Sequence, residues 1–134
     1  MTRPTYLFDA SSIVRALREV KLVPLGGQAI QWLTVYEVLN AFWKEANLLH
    51  RLDPEEAGSL VSDFTEVIRE MVVLEPRGLE QSIFRIAVSK GATIYDASYI
   101  ALAAKYNLVL VTEDQKLSRI ASDTVNVVSL NDLA

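Results

Sequence analysis

The sequence predicts an α/β domain: a central, mostly parallel sheet enclosed between helical layers. Two observations carry this. Apolar runs of five or six residues alternate with helical stretches along the whole chain, which is the pattern of repeated strand–helix–strand units. Several of these runs, such as NLVLVT at 107–112, are apolar at successive positions, as strands covered on both faces are. No linker, internal repeat or low-complexity segment interrupts the alternation, so the chain reads as one domain over residues 1–134.

The elements follow in order. TYLFDA (5–10) reads as a buried strand ending in Asp9. A helix follows over 11–21, with Ile13, Leu17 and Val20 on one face. VPLGG (23–27) breaks it. QAIQWL (28–33) reads as the second strand, and 34–51 has helical spacing through Val35, Val38, Leu39 and Phe42. Asp53-Pro54-Glu55 starts a helix that runs to about Glu70, with aspartate as cap and proline at the first position. MVVLEP (71–76) is a third strand closed by proline, and 78–91 a helix capped by Gly91. A helix over 95–106, a strand over 107–112, a short helix in EDQKLSRIAS and a last strand over 124–130 complete the chain.

Composition narrows the chemistry. The chain has 134 residues, enough for one core that removes roughly two-thirds of the unfolded surface from water. Half of the residues are apolar, a slight excess that suits an interface with a partner. No apolar run approaches the roughly 18 residues of a membrane span, and MTRPTYLFDAS lacks the form of a signal peptide. A cytoplasmic protein is expected. With no cysteine there is neither a disulfide framework nor a thiolate metal site. The only histidine, His50, has no partner nearby in sequence and reads as structural, so Ser–His–Asp chemistry is poorly supported. The net charge of −4 argues against wholesale coating of nucleic acid by a basic surface, while leaving room for a basic strip. Carboxylates remain as the tools.

Open α/β sheets form their sites outside the carboxyl ends of the strands, where strand order reverses. Four acids fall there: Asp9 at the end of the first strand, Glu37 in the first turn of the helix after the second, Asp96 opening the helix before the fourth, and Asp114 just past NLVLVT. Each has a bland reading. Asp9 and Asp114 can cap helices; Thr34 with Glu37, and Thr93 with Asp96, have capping-box spacing. The helix dipole also favours acids in a first turn. Capping accounts for each acid singly and does not require them to converge. Convergence has a consequence: two carboxylates about 4 Å apart repel by roughly 4 kcal/mol at an effective dielectric of 20. A cluster therefore needs protons or a cation. Oxygen ligands without His or Cys suit Mg²⁺ or Mn²⁺, ions that hold phosphate oxygens and activate water.

YLFDASSIV, the acid in YEVLNAFWK, IYDASYIALA and LVTEDQKL occur in this order over essentially the whole chain. In these marks the sequence resembles the PIN-domain ribonucleases, and among them the VapC-like toxins of type II toxin–antitoxin pairs. The resemblance implies a three-layer α/β/α sandwich and an endoribonuclease whose acidic site binds Mg²⁺ or Mn²⁺. It also implies an RNA substrate, a cognate antitoxin and a homodimer. By position it implies that Asp9, Glu37, Asp96 and Asp114 are the catalytic and metal-binding quartet, with Ser11 and Thr112 in support. Many relatives carry a further acid two positions after the last aspartate. This chain has Lys116 there, and Glu113 lies on the other side of Asp114; one bound metal and two are both compatible with the pattern. Either Asp96 or Asp9 positions the attacking water.

Arg15, Arg18, Lys21 and Lys44 are candidates for the RNA backbone; Arg15 and Lys44 lie about two turns past Asp9 and Glu37. A solvated helix face explains any one of them as well. Trp32, Phe42 and Trp43 read as core, but adjacent Phe42 and Trp43 cannot face the same way, which leaves one for a dimer or antitoxin contact. Two other functions compete. A phospho-receiver domain would have a similar shape, but it carries paired acids near the first strand and an aspartate ending the third, which here ends in Leu74-Glu75-Pro76. A non-catalytic scaffold that only binds RNA or protein would not need all four acids.

Overall fold

The computed structural model describes residues 3–133; Met1, Thr2 and Ala134, included in the single-domain reading over 1–134, lie outside the described residues. β1 (Tyr6–Phe8) leads through α1 (Ala10–Arg18) and a 3-10 turn to β2 (Ala29–Gln31). Next come α2 (Trp32–Asn47), α3 (Pro54–Ile68) and β3 (Val72–Leu74). The second half holds α4 (Glu80–Lys90), α5 (Ile94–Tyr106), β4 (Val109–Val111), α6 (Gln115–Ala121) and β5 (Val127–Val128), with a 3-10 turn over Leu130–Asp132.

All strand pairs are parallel, in the order β3-β2-β1-β4-β5. Leu7 lies opposite both Ala29 and Leu110, and Phe8 opposite Val111. Because side chains alternate along a strand, neighbouring residues serve opposite cores. Phe8, Ile30 and Val111 pack with Ile13 and Leu17 of α1, Val38 and Phe42 of α2 and Phe64 of α3. Leu7, Ala29 and Leu110 pack with Tyr99, Ile100 and Leu102 of α5 and Leu117 of α6. The result is the three-layer α/β/α sandwich with a parallel sheet, and the double covering is why the strands read as continuous apolar runs.

The caps explain most of the helix ends. Asp53 and Glu56 form the reciprocal capping box ahead of Pro54. Gly91 ends α4 with φ 63, and Asn107 ends α5 with φ 54, left-handed geometries whose N–H groups satisfy the last helical carbonyls. The strands are shorter than expected, only two or three residues each. The expected strand 28–33 stops at Gln31, and α2 begins at Trp32 instead of Thr34. Thr34 is therefore inside the first turn, where its Oγ1 accepts from the Gln31 N–H at 3.2 Å. This removes the proposed Thr34–Glu37 capping box and puts Glu37 in the second turn, not the first. The last strand shrinks from 124–130 to Val127–Val128, because Leu130 turns inward to the core beneath α1.

Candidate active site

From β1 the chain moves outward to β2 and β3, then crosses back to place β4 on the other side of β1. The reversal lies between β1 and β4, and the residues just beyond them are Asp9 and the turn 112–114. A ligand site is expected here from topology alone. The structure brings Asp9, Glu37, Asp96 and Asp114 to one cavity of about 320 Å³ at this edge, together with Ser11, Asn40, Lys44 and Tyr99.

Asp9 is the buried member, 5% exposed. It caps α1, its Oδ1 accepting from the Ser12 N–H at 3.0 Å, and the Ser11 hydroxyl donates to the same oxygen at 2.8 Å. Thr112 donates its hydroxyl to the other oxygen. Burial nevertheless holds the Asp9 carboxyl above its ordinary range, against these donors. Ser12 was not foreseen. Fully buried, it shares its one hydroxyl proton between the carbonyls of Asp9 at 2.9 Å and Val111 at 3.0 Å, bridging the ends of β1 and β4 at the switch point. Only the local pattern Asp-x-x-Ser signalled it, and that pattern is common at helix starts.

Asp114 caps α6, its Oδ1 accepting from the backbone of Lys116 and Leu117. Its own N–H donates to Thr112 Oγ1 at 3.0 Å, so a single threonine hydroxyl serves two of the acids. Glu37 accepts from the Tyr99 hydroxyl at 2.7 Å. Burial chiefly raises its pKa; the Tyr99 donor opposes that, and the charges of Asp9 and Asp96 add to it. Asp96 is different. Thr93 caps α5, its Oγ1 accepting from the Asp96 N–H at 3.1 Å, but among the described residues no donor holds the Asp96 carboxylate. The capping role belongs to Thr93, and the acid is left for the cavity. Burial and then Asp114 raise its pKa, while Lys116 acts in the opposite direction.

The cations divide. Arg15 donates to Glu19 and Asn131, each at 2.7 Å, and to Glu113, which in turn accepts from the Leu130 N–H. Its guanidinium is occupied by the protein, tying α1 to the last turn of the chain. Arg18 stands 3.8 Å from Glu45 and Lys21 3.4 Å from Glu19. Lys44 is exposed at the cavity and forms no ion pair among the described residues. His50 stands exposed in the turn after α2, away from this cavity. Phe42 is buried, whereas Trp32 and Trp43 are exposed, with Tyr36 between them on the same stripe of α2. Trp32 is thus not core, as α2 begins two residues early and turns it outward.

In kind, the residues fit a hard divalent cation: four carboxylates, no histidine and no thiolate. Among the described residues no three of them are gathered closely enough to grip an ion as they stand. Asp9, Glu37 and Asp114 are instead each held by donors of their own.

The chain is similar to several known proteins. A family model described as PIN domain matches residues 6–123. Exonuclease VapC9 of Pyrobaculum aerophilum is 40% identical over 127 residues, spanning 93% of this chain and 92% of that protein. Ribonuclease VapC3 of the same organism is 34% identical over 86 residues, 64% of this chain and 65% of the relative. The crystal structure of PAE2754 from Pyrobaculum aerophilum matches with a TM-score of 0.81 at 33% identity, covering 98% of this chain and 95% of that one. A toxin–antitoxin complex from Klebsiella pneumoniae matches with a TM-score of 0.62, over 85% of this chain and 90% of the other. Its identity is 18%, so the likeness is one of fold.

Proposed function

Because this chain belongs to the PIN-domain family, we propose that residues 1–134 form a metal-dependent endoribonuclease, the toxin of a toxin–antitoxin pair. The observation that carries this reading is the meeting of Asp9, Glu37, Asp96 and Asp114, from four separate stretches of chain, around one cavity at the switch point of the sheet. Ordinary capping accounts for Asp9 and Asp114 but leaves Glu37 and Asp96 unexplained, since neither side chain caps a helix.

The four acids would hold Mg²⁺ or Mn²⁺, which in such a site neutralises phosphate charge and acidifies water for in-line attack on phosphorus. The protein's own contributions are distinct. Ser11, Ser12 and Thr112 fix Asp9, and Thr112 also fixes the turn carrying Asp114. Asp96, whose carboxylate has no donor among the described residues, is the acid free to take a proton from the attacking water. Lys44 is placed to draw a phosphate toward the cavity.

A cognate antitoxin and a second copy of the chain belong to this reading as partners. The first rests on the likeness to VapC-like toxins; a neighbour of the same fold occurs in a toxin–antitoxin complex. Exposed apolar side chains support a protein partner in general: Trp32, Tyr36 and Trp43 along α2, and Phe84, Val88, Ile94 and Tyr95 on the opposite layer. No helix among the described residues is long and apolar enough to cross a membrane, and a cytoplasmic location is proposed.

The test is cleavage of labelled RNA by the wild type and Asp9→Ala in Mn²⁺. Cleavage that disappears in the variant and on chelation, with an unchanged circular dichroism spectrum, is expected. Full activity of Asp9→Ala overturns the assignment. Since one relative is named an exonuclease, a circular RNA separates the two modes: an endonuclease opens it and an exonuclease leaves it whole.

A further inference from the structure

Beneath the acids lies a buried polar network that starts at the Gln31–Thr34 capping box of α2 and runs beyond it. Gln31, Thr34, Ser98 and Tyr99 are all 6% exposed or less. Gln31 donates its side-chain amide to Ser98 at 2.9 Å, and Ser98 donates to the Tyr95 carbonyl at 2.6 Å. The Tyr99 hydroxyl lies 2.7 Å from Thr34 Oγ1 and 2.7 Å from Glu37 Oε1.

With Glu37 ionised, the hydrogens along this run have one consistent arrangement. An ionised carboxylate has acceptors only, so the single Tyr99 proton goes to Glu37. The Tyr99 oxygen must then accept from the Thr34 hydroxyl, and the Thr34 oxygen accepts from the Gln31 N–H. A run of donors therefore starts in the backbone at the end of β2 and ends on a cavity carboxylate.

We propose that Tyr99 is a positioning residue: its buried ring and directed hydroxyl fix the Glu37 carboxylate against α5, in register with Asp96, so that the two acids act on one cation. This rests on the nuclease reading and deepens it. The anchor is rigid because the Tyr99 ring packs among Leu7, Ala29, Ile100 and Leu117 in the sheet core. The register follows from the helix: Asp96 and Tyr99 are three residues apart on α5 and share a face. Glu37 on α2 is thereby tied to the helix that carries Asp96. Tyr99 itself is 2% exposed, too buried to touch a substrate. A glutamate left to itself has three rotatable bonds and a charge repelled by Asp9 and Asp96.

The experiment is Mn²⁺ binding by isothermal titration calorimetry, without RNA, on the wild type, Tyr99→Phe, Glu37→Ala and the double variant. Loss of a hydrogen bond that orients a ligand costs metal sites about 10-fold in affinity or more. Tyr99→Phe is expected to bind Mn²⁺ about 10-fold more weakly than the wild type, yet to change nothing when Glu37 is already alanine. Equal affinity of Tyr99→Phe and wild type overturns the proposal. So does an equal fold-loss in both backgrounds, which is what general loosening of the core would produce. Thr34→Val repeats the test with the tyrosine intact, and a weakened affinity that again vanishes in the Glu37→Ala background is expected. A wild type that takes up no Mn²⁺ sinks the nuclease reading, and this inference with it; a wild type that binds while Tyr99→Phe binds equally well sinks this inference alone.

Discussion

Thr112→Val isolates the hydroxyl that serves two of the acids at once. The substitution keeps the volume and shape, so no cavity forms and the change is one of hydrogen bonding. Asp9 loses a donor to a carboxylate that is 5% exposed, and hydrogen bonds to charged groups are worth about 1.5–3 kcal/mol. The Asp114 N–H loses its acceptor as well, which adds about 1 kcal/mol for a half-buried donor. A loss of about 3 kcal/mol is expected at neutral pH, out of a total of about 5–15 kcal/mol for a domain. In urea this moves the midpoint down by about 1–3 M. The pH dependence identifies the cause. The folded pKa of Asp9 is raised above 3.8, so between those two values the folded state binds more protons than the unfolded. Stability from this group falls as pH rises through that window and is lowest above it. Thr112 lowers the folded pKa, and removing it extends the window upward. The deficit of the variant is therefore greatest at neutral pH and shrinks as pH approaches 3.8. Thr112→Ser, which keeps the hydroxyl, should show a small deficit with no such dependence. A Thr112→Val deficit equally large at pH 4 and pH 7, or one below about 0.5 kcal/mol, refutes the reasoning.

Further outcomes follow from the same geometry. Mn²⁺ at a hundred times its dissociation constant should stabilise the wild type to urea by about 2.7 kcal/mol, and Asp9→Asn should lose that response while remaining folded without metal. Lys44→Ala should weaken RNA binding and reduce the salt dependence of log K by about one unit, measured by filter binding across a KCl series. Arg15→Ala, whose guanidinium is already held by Glu19, Glu113 and Asn131, should lower the thermal midpoint without changing that slope. Gly91→Ala places a side chain at φ 63 in open space; denaturation should register about 1–2 kcal/mol of backbone strain alone, with RNA cleavage retained.

The order of elements was legible because each half of its signal is local. Double-sided apolar runs mark strands buried in a parallel sheet, and Asp53-Pro54 or Gly91 mark helix ends through a single residue's backbone preference. The acids were legible for a related reason, since each lies just past a strand or near a helix start, where topology sends sites. Their surroundings were not. Whether α2 begins at Trp32 or Thr34 goes with the capping box between Gln31 and Thr34, and the start of the helix decides which turn carries Glu37. Arg15 read as a cation available to RNA because its partners Glu113 and Asn131 lie about a hundred residues away in sequence.

By itself, then, the sequence determined the layers, the parallel sheet and the identity of four carboxylates at one edge, all consequences of apolar periodicity and residue type along the chain. Only the tertiary structure decided what each carboxylate does. It alone showed that Asp9 and Asp114 both cap helices and line the cavity, left the Asp96 carboxylate without a donor among the described residues, and put a buried tyrosine under Glu37. Hydrogen bonds between distant segments are directional and last only a few ångströms, so their partners exist once the core has closed and leave no periodic trace beforehand.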